Sequence, residues 1–159
     1  MPISSAIAPH PVNEKVLGYA PGSSERAALK SALEEVATTP IDVPLFIGGR
    51  ETRTDNRMPI RSPHDHELEL GSYAQGDASL ANAAIDAALA AREGWAALSQ
   101  NDRSSVFLKA AELAATTFRY RLNAATMLGQ SKTAYQAEID SACELIDFLR
   151  FNVAWAGRL

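Results

Sequence analysis

Residues 79–98 are SLANAAIDAALAAREGWAAL, and this stretch decides the fold class. Alanine and leucine have high helix propensities, and the stretch contains no proline. Its apolar residues recur at helical spacing, which predicts one long helix with a broad apolar face. That face carries Leu80, Ala84, Ile85, Ala88, Leu89 and Trp95. Because alanine side chains are small, we expect other helices to pack closely against it.

The chain downstream of this stretch is also predicted to be helical. Ser99 and Asp102 fit a capping box, in which a hydroxyl satisfies a free N–H at the helix start. The helix that follows is expected to bury Val106, Phe107, Ala110, Leu113 and Ala114. Gly129 is placed like the residue that closes the helical stretch ending near Leu128. Two further helices are therefore expected between Ser99 and the last residue, Leu159.

The last of these helices begins at a second predicted capping box, formed by Thr133 and Gln136. It carries apolar residues on two sides, and each set keeps helical spacing. One side has Ile139, Cys143, Ile146 and Val153, and the other has Leu145, Phe148 and Trp155. We therefore expect this helix to have neighbours on both sides.

Upstream of Gly76 the apolar period changes from that of a helix to that of strands. Leu45 and Ile47 alternate before the Gly48-Gly49 turn, and Arg50 to Thr54 form the returning strand of a hairpin. A second hairpin places Met58 and Ile60 on one arm, Leu68 and Leu70 on the other, and residues 63–66 in the turn. Before the hairpins, Ser23 or Ser24 can cap a helix that Pro40 ends.

Residues 1–22 contain four prolines and few apolar anchors, which predicts an extended arm that becomes ordered only against something else. The predicted organisation is this arm followed by residues 23–159. The predicted fold class is α+β, mostly helical with two short N-terminal β-hairpins.

The composition restricts the class of protein. The formal net charge of −4 and the absence of a basic run argue against a nucleic-acid partner. No apolar stretch has the ~20 residues of a membrane span. The N-terminus lacks both a secretory signal and an Arg-rich presequence. A single cysteine fits a reducing compartment, so we expect a cytoplasmic protein, or a matrix protein if a presequence has been removed.

Three groups of residues could carry chemistry, and each has a simpler interpretation. His64-Asp65-His66 could bind a metal, although adjacent turn residues cannot easily converge on one ion. Cys143 could be a nucleophile, but its apolar helix position favours an unreactive, buried thiol. Asp140, Glu144 and Asp147 could act as acids and bases, but with Arg150 one turn beyond they favour a solvated, salt-bridged face.

Several motifs, in this order and spacing, resemble the opening of the aldehyde dehydrogenase superfamily. They are Arg61-Ser62-Pro63, Leu70-Gly71, Tyr73-Ala74, Asp77, the small residues 87–91, Trp95, Arg103 and residues 108–111. Gln130 and Ser131 separate Gly129 from Lys132, where the superfamily carries a Gly-Lys pair. Residues 129–133, 136–140, 144–148 and 150–152 are similar to a helix of the 1-pyrroline-5-carboxylate dehydrogenases. The chain thus resembles the N-terminal part of an α/β aldehyde dehydrogenase fold.

This resemblance implies an enzyme that oxidises L-glutamate γ-semialdehyde to L-glutamate with NAD in proline catabolism. In that family a cysteine thiolate attacks the aldehyde, an oxyanion hole holds the developing charge, and a glutamate activates water. All of these residues and the nucleotide-binding loop lie beyond Leu159, and Cys143 does not match the nucleophile motif. We therefore expect residues 23–159 to be an incomplete NAD-binding domain that binds no cofactor and is inactive alone. The complete enzyme is expected to be a homo-oligomer.

One substrate-binding residue is implied by the resemblance. Glu138 matches a family glutamate that reaches the amino end of the substrate, where a carboxylate would pair with an ammonium group. Alternatively, Glu138 lies on a helix face and is favoured only by the helix dipole. The alternative function for the whole chain is a non-catalytic helical assembly module derived from the same family.

Overall fold

The computed structural model describes residues 10–159, so the part of the predicted arm before His10 lies outside the described residues. Residues 10–23 form neither helix nor strand. Helix α1, Ser24–Thr38, begins after Ser23, whose hydroxyl accepts a hydrogen bond from the Arg26 N–H at 3.3 Å. Of the two candidate caps, Ser23 is therefore the one used. The helix buries Leu29 and ends before Pro40.

Five short strands follow α1. They are β1 (Ile41–Val43), β2 (Leu45–Ile47), β3 (Arg50–Thr52), β4 (Arg57–Ser62) and β5 (Asp65–Ala74). β2 and β3 pair antiparallel across Gly48 and Gly49, which adopt φ of 57° and 75°. These positive values favour glycine, as the prediction required. β4 and β5 also pair antiparallel. Both predicted hairpins are confirmed.

β1 is a strand that the sequence pattern did not reveal. It lies parallel to β5, so the three-stranded sheet has the order β1-β5-β4. Ile41 is opposite Gly71, and a Cβ on Gly71 would lie 2.2 Å from the Ile41 carbonyl oxygen. Only glycine permits this close approach of two backbones. β1 pairs in parallel with a strand that is distant in the sequence, so no adjoining hairpin turn marks it, which explains why the strand was missed.

Helices make up the rest of the chain. They are α2 (Ala78–Ala97), α3 (Gln100–Ala115), α4 (Arg119–Gln130), α5 (Ala134–Ala137), a π-helix (Glu138–Cys143) and α6 (Glu144–Ala156). The last three form one continuous helical rod. Asp77 caps α2 and Ser99 caps α3, while Thr133 and Gln136 make the predicted reciprocal capping box at α5. The predicted fold class is confirmed: the chain is mostly helical with short N-terminal strands.

One prediction for α3 was correct only in part, and one for α4 was wrong. Ala114 is buried as predicted and Leu113 is half-buried, whereas Val106, Phe107 and Ala110 are exposed. The other buried residues of α3 are Ser104 and Ala111. The buried face of α3 is narrow and consists of small residues. The prediction placed the larger apolar side chains on the buried face instead. Gly129 does not close α4, because the helix continues to Gln130. Ser131 is the left-handed residue there, with φ of 57°.

Two small cores hold the elements together. One surrounds Ala124 of α4, with Tyr19, Leu29 and Ala32 buried against it. The other joins α3 to the last helical rod, where Ala111 and Ala114 pack on Ala142 and Ile146. Alanines at both contacts let the helix axes approach closely. By contrast, α2 has no buried residue, so its predicted apolar face is exposed in this chain.

Candidate functional site around the buried Glu138

Glu138 is the best-anchored carboxylate among residues 10–159. It opens the π-helix and has 0% of its surface exposed. Leu17 donates its N–H to Oε1 at 2.8 Å, the Tyr19 hydroxyl donates to Oε2 at 2.6 Å, and Asn123 Nδ2 donates to Oε2 at 2.7 Å. The Arg119 guanidinium pairs with Oε1 and completes the set. The donors thus use the acceptor positions that an ionised carboxylate offers.

Arg119 extends this ion pair into a network. Its Nη1 donates to Glu14 Oε1 at 2.6 Å, and its Nη2 donates to the Lys15 carbonyl at 2.6 Å. The other oxygen of Glu14 accepts from Arg150 Nη1 at 2.6 Å. Two carboxylates and two guanidiniums therefore alternate in space. Such alternation compensates buried charges that would otherwise be strongly destabilising.

Residues 13–19, which we call the strap, lie across the π-helix and the start of α6. At one end, Asn13 Nδ2 and the Glu14 N–H donate to the two oxygens of Asp147 at 2.8 and 2.7 Å. At the other end, Tyr19 is buried and adopts φ of 50°. A left-handed backbone is uncommon for a large residue and persists where surrounding contacts enforce it. The hydroxyl bond to Glu138 is such a contact.

The network determines the protonation states of its members. Burial alone would raise the pKa of Glu138, but the hydrogen bonds from Arg119, Tyr19, Leu17 and Asn123 outweigh burial and hold this pKa below its ordinary value. Burial would lower the pKa of Arg119, yet hydrogen bonds to Glu138 and Glu14 raise it. Burial, together with the hydrogen bond and charge of Glu138, raises the pKa of Tyr19. A carboxylate, a guanidinium and a neutral phenol therefore coexist at neutral pH.

Cys143 belongs to this network, and the environment predicted for it was incomplete. Its thiol is buried, as expected, but Sγ lies 3.7 Å from Glu138 Oε1 and 3.6 Å from Arg119 Nη2. The π-helix explains the approach, because residues five apart face the same side of such a turn. Burial and then the charge of Glu138 raise the pKa of Cys143 to about 11.

Cys143 is expected to react with a thiol reagent such as Ellman's reagent at least ~100-fold more slowly in the native chain than in the unfolded chain. The ordinary thiol pKa on the same scale is 9.0, so the raised pKa of about 11 alone reduces the thiolate fraction at neutral pH by about 100-fold. The rates are compared at one pH with and without denaturant. Native labelling as fast as that of a free thiol would contradict the assignment.

The other predicted site residues lie apart from this network or have unexpected partners. His64 Nδ1 is 2.8 Å from the Ser131 hydroxyl, in the predicted turn. Among the described residues, no group of three or more metal-ligating side chains is placed to hold an ion. On the acidic face, Asp140 pairs with Lys132, and Arg150 pairs with Glu14 rather than with Asp147. The face predicted to be solvated is therefore partly covered by the strap.

Sequence reasoning missed Tyr19, Asn123 and Arg119 as neighbours of Glu138. They lie 15 to 119 positions away along the chain, so no local spacing connects them. One signal was present: Glu138 stands directly between Ala137 and Ile139 in a helix with apolar sides. A carboxylate that is carried into a core needs a buried cation. Arg119 could have been sought on that ground.

Two features of the described residues could suggest a phosphate-binding site, and neither has the geometry of one. Gly48 and Gly49 join two antiparallel strands, whereas a phosphate-binding loop leads from a strand into a helix. At the start of α2, the Asp77 carboxylate accepts the Leu80 N–H at 2.9 Å. A carboxylate at that helix terminus would repel a phosphate. Neither feature is therefore placed to hold a phosphate group of NAD. No helix in this range is both long and apolar enough to cross a membrane.

Comparison with known proteins is consistent with this architecture. A model of the aldehyde dehydrogenase family matches residues 50–159. The chain belongs to the aldehyde dehydrogenase family. Within it, the chain is 49% identical over 148 residues to the delta-1-pyrroline-5-carboxylate dehydrogenase of Agaricus bisporus, a match that covers 92% of this chain and 27% of that protein. It is 43% identical over 147 residues to the mitochondrial delta-1-pyrroline-5-carboxylate dehydrogenase of Homo sapiens, and this match covers 92% of this chain and 26% of the human protein.

Solved structures give the same result. The NAD-bound delta-pyrroline-5-carboxylate dehydrogenase of Mycobacterium tuberculosis superimposes with a TM-score of 0.91 and 50% identity, over 94% of this chain and 28% of that one. The Thermus 1-pyrroline-5-carboxylate dehydrogenase with bound NAD superimposes with a TM-score of 0.86 and 31% identity. That match covers 92% of this chain and 28% of the Thermus chain. The chain thus spans about a quarter of the length of the curated relatives that it matches.

Proposed function

We propose that this chain forms the N-terminal part of an NAD-dependent dehydrogenase that oxidises L-glutamate γ-semialdehyde to L-glutamate. The observation that supports this most strongly is the agreement over nearly the whole chain, with 50% identity and a TM-score of 0.91, to a delta-pyrroline-5-carboxylate dehydrogenase. In the complete enzyme, NAD accepts the hydride that leaves the substrate. The chain alone is proposed to be catalytically silent.

The contribution of these residues is to build a rigid support. The ion network fixes the strap to the last helical rod, and the small alanine contacts fix that rod to α3. Side chains on such preorganised elements keep their geometry while a reaction proceeds nearby. The support must be combined with a nucleotide-binding region before it can act.

A chimera tests the proposed function. Residues 1–159 replace the matching segment of the Mycobacterium tuberculosis enzyme, whose 50% identity makes a folded product reasonable. The chimera is expected to form NADH from NAD and glutamate semialdehyde, whereas the chain alone forms none above a boiled control. The unmodified Mycobacterium enzyme is the positive control. A folded, NAD-binding chimera that does not oxidise the semialdehyde would overturn the proposed substrate.

We further propose that Glu138 recognises the amino end of the substrate, as the family resemblance implies. The geometry limits how a substrate can reach Glu138, because this side chain is fully buried. Its two oxygens already accept hydrogen bonds from four residues, which are Leu17, Tyr19, Asn123 and Arg119. A substrate ammonium would have to replace a neutral donor of the strap, either the Leu17 N–H or the Tyr19 hydroxyl. Without that exchange, Glu138 acts only as the anchor of the strap.

The remaining parts of the proposal concern partners and location. We propose that the complete enzyme is a homo-oligomer with a small-molecule substrate and with neither a nucleic-acid nor a membrane partner. The net charge of −4 supports the exclusion of nucleic acid. Several eukaryotic relatives are named as mitochondrial. We accordingly propose the cytoplasm, or the mitochondrial matrix in a eukaryote.

A second candidate function is that of a non-catalytic assembly module. The supporting observation is the exposed apolar face of α2, which provides a surface for another polypeptide. In that case the chain would bind a full-length enzyme of the same family without contributing to turnover. Co-purification with such an enzyme, together with an inactive chimera, would favour this function over the first.

A further inference from the structure

The first half of the strap is held in place mainly by hydrogen bonds. The Glu14 N–H donates to Asp147 at 2.7 Å. The Glu14 carboxylate accepts hydrogen bonds from Arg119 and Arg150, both at 2.6 Å. Val16, by contrast, is 44% exposed, so apolar burial contributes little to this half. A hydrogen bond has a modest net effect on stability because water replaces the lost partner when a segment opens. Such a segment opens locally while the core stays folded.

The strap has two anchors on the last helical rod, and the π-helix brings them to one side. Asp147 holds the start of the strap, and Glu138 accepts the Leu17 N–H near its end at 2.8 Å. In a regular α-helix, two residues nine positions apart differ by about 900° and lie on opposite sides. The additional residue of a π-turn reduces the effective separation to eight positions, so the two carboxylates lie within about 80° of each other. One short segment can therefore bind both.

Cys143 lies under the strap, between the two anchors. Its Sγ is 3.9 Å from the Lys15 carbonyl oxygen, and the residue is 5% exposed. A cavity of about 560 Å³ reaches this thiol, and the strap forms one of its walls with Asn13, Glu14 and Val16. A small reagent in the cavity would meet the thiol once the strap lifts. The reactivity of Cys143 therefore reports whether the strap is closed.

We propose that the strap is a latch that opens and closes as one unit over Cys143 and Glu138, and that Asp147 is the positioning residue that keeps it closed. Asp147 binds the strap through the Asn13 side chain and the Glu14 N–H, so it acts on the two buried residues through the strap. When this anchor is lost, the remaining contacts must offset the entropy of ordering the whole segment. Opening then becomes more frequent. The latch does not depend on the proposed reaction.

Native labelling of Cys143 by Ellman's reagent in the chain tests the latch. Asp147→Ala removes the anchor but keeps a good helix former in α6, and we expect labelling at least ~10-fold faster than in the wild type. Asp147→Asn is the conservative variant. Its amide oxygen still accepts the Glu14 N–H, and its amide nitrogen donates to Asn13 once that side chain turns its own amide around. It should stay within about threefold of the wild type.

Two further variants complete the design. Asp140→Ala removes the same charge from the same rod, but Asp140 pairs with Lys132 instead of the strap, so labelling should be unchanged. Asn13→Ala weakens the anchor from the strap side, outside any helix. It should accelerate labelling about threefold, and it keeps the test available if Asp147→Ala does not fold.

The dependence on urea separates latch opening from unfolding. Local opening exposes little surface, so the labelling rate of Asp147→Ala should rise only weakly with urea, whereas global unfolding depends on it steeply. The proposal is overturned if neither Asp147→Ala nor Asn13→Ala accelerates labelling, or if Asp140→Ala accelerates it equally. It is also overturned if the labelling rate follows urea as steeply as unfolding measured by circular dichroism. NADH formation by the chimera is scored separately, because none of these outcomes bears on the proposed reaction.

Discussion

Arg119→Met is expected to lower the free energy of unfolding by about 3–5 kcal/mol, because it leaves a buried charge without its partner. Glu138 is fully buried and would keep only the neutral donors from Leu17, Tyr19 and Asn123. Glu14 would lose its contact with Nη1 of Arg119 at the same time. The measurement is denaturant unfolding of the chain, followed by circular dichroism at neutral pH.

Two variants serve as controls for this prediction. Lys109→Met removes the exposed ion pair to Glu112, and it is expected to be nearly neutral because solvent screens such pairs. The double variant Arg119→Met with Glu138→Gln removes both charges and should recover part of the loss. If Arg119→Met is as mild as Lys109→Met, the network does not hold the strap.

The same network predicts how stability depends on pH. The folded-state pKa of Glu138 lies below its ordinary value, so its stabilising effect is present above the unfolded-state pKa of about 4.3. That effect is lost as the pH falls through the lower, folded-state pKa. The difference in stability between the wild-type chain and Glu138→Gln should therefore shrink progressively below about pH 4.

The second large effect concerns substrate choice. In the chimera, Glu138→Gln is expected to lower kcat/KM for glutamate semialdehyde by about ten- to a hundredfold, while a simple aliphatic aldehyde is hardly affected. A hydrogen bond to a charged group contributes about 1.5–3 kcal/mol, and only the amino-acid aldehyde carries an ammonium group. Steady-state kinetics with both aldehydes measure the ratio.

Lys109→Met provides the control for the kinetic experiment. Its exposed ion pair to Glu112 lies outside the network of Glu138, so this variant should change the kinetics of neither aldehyde. An equal loss of both substrates in Glu138→Gln would mean that this residue anchors the strap and does not recognise the substrate. Variants are compared after their folding has been verified by circular dichroism.

The elements that sequence reasoning located correctly are those with a strong local cause. The Gly48-Gly49 hairpin depends on positive φ at two adjacent positions, and the cap at Thr133 depends on a hydroxyl and an amide three residues apart. Both causes lie within a few residues. β1 was missed because its partner, β5, is distant in sequence and no hairpin turn joins the two strands. The end of α4 was misplaced because Ser131 adopts a conformation that glycine usually supplies.

The site was predicted less completely than the fold. Glu138 and Cys143 were singled out from the sequence, but the partners that define their chemistry come from the strap and from α4. The burial of α2 was overestimated for a different reason. An apolar face shows that a helix has a neighbour, but it does not show that the neighbour lies in the same stretch of chain.

The π-helix at residues 138–143 also sets the angular phase of everything that follows it. An α-helix turns by about 100° per residue, and a π-turn accommodates one residue more than an α-turn does. Removing a single residue there would let the rod close as a regular α-helix and would rotate α6 by about 100° relative to α5. Ile146 would then swing away from Ala111 and Ala114 of α3. The additional residue of the π-helix therefore sets the rotation of α6 relative to α5. Because of this rotation, the helical rod contacts the strap near its start and α3 further along.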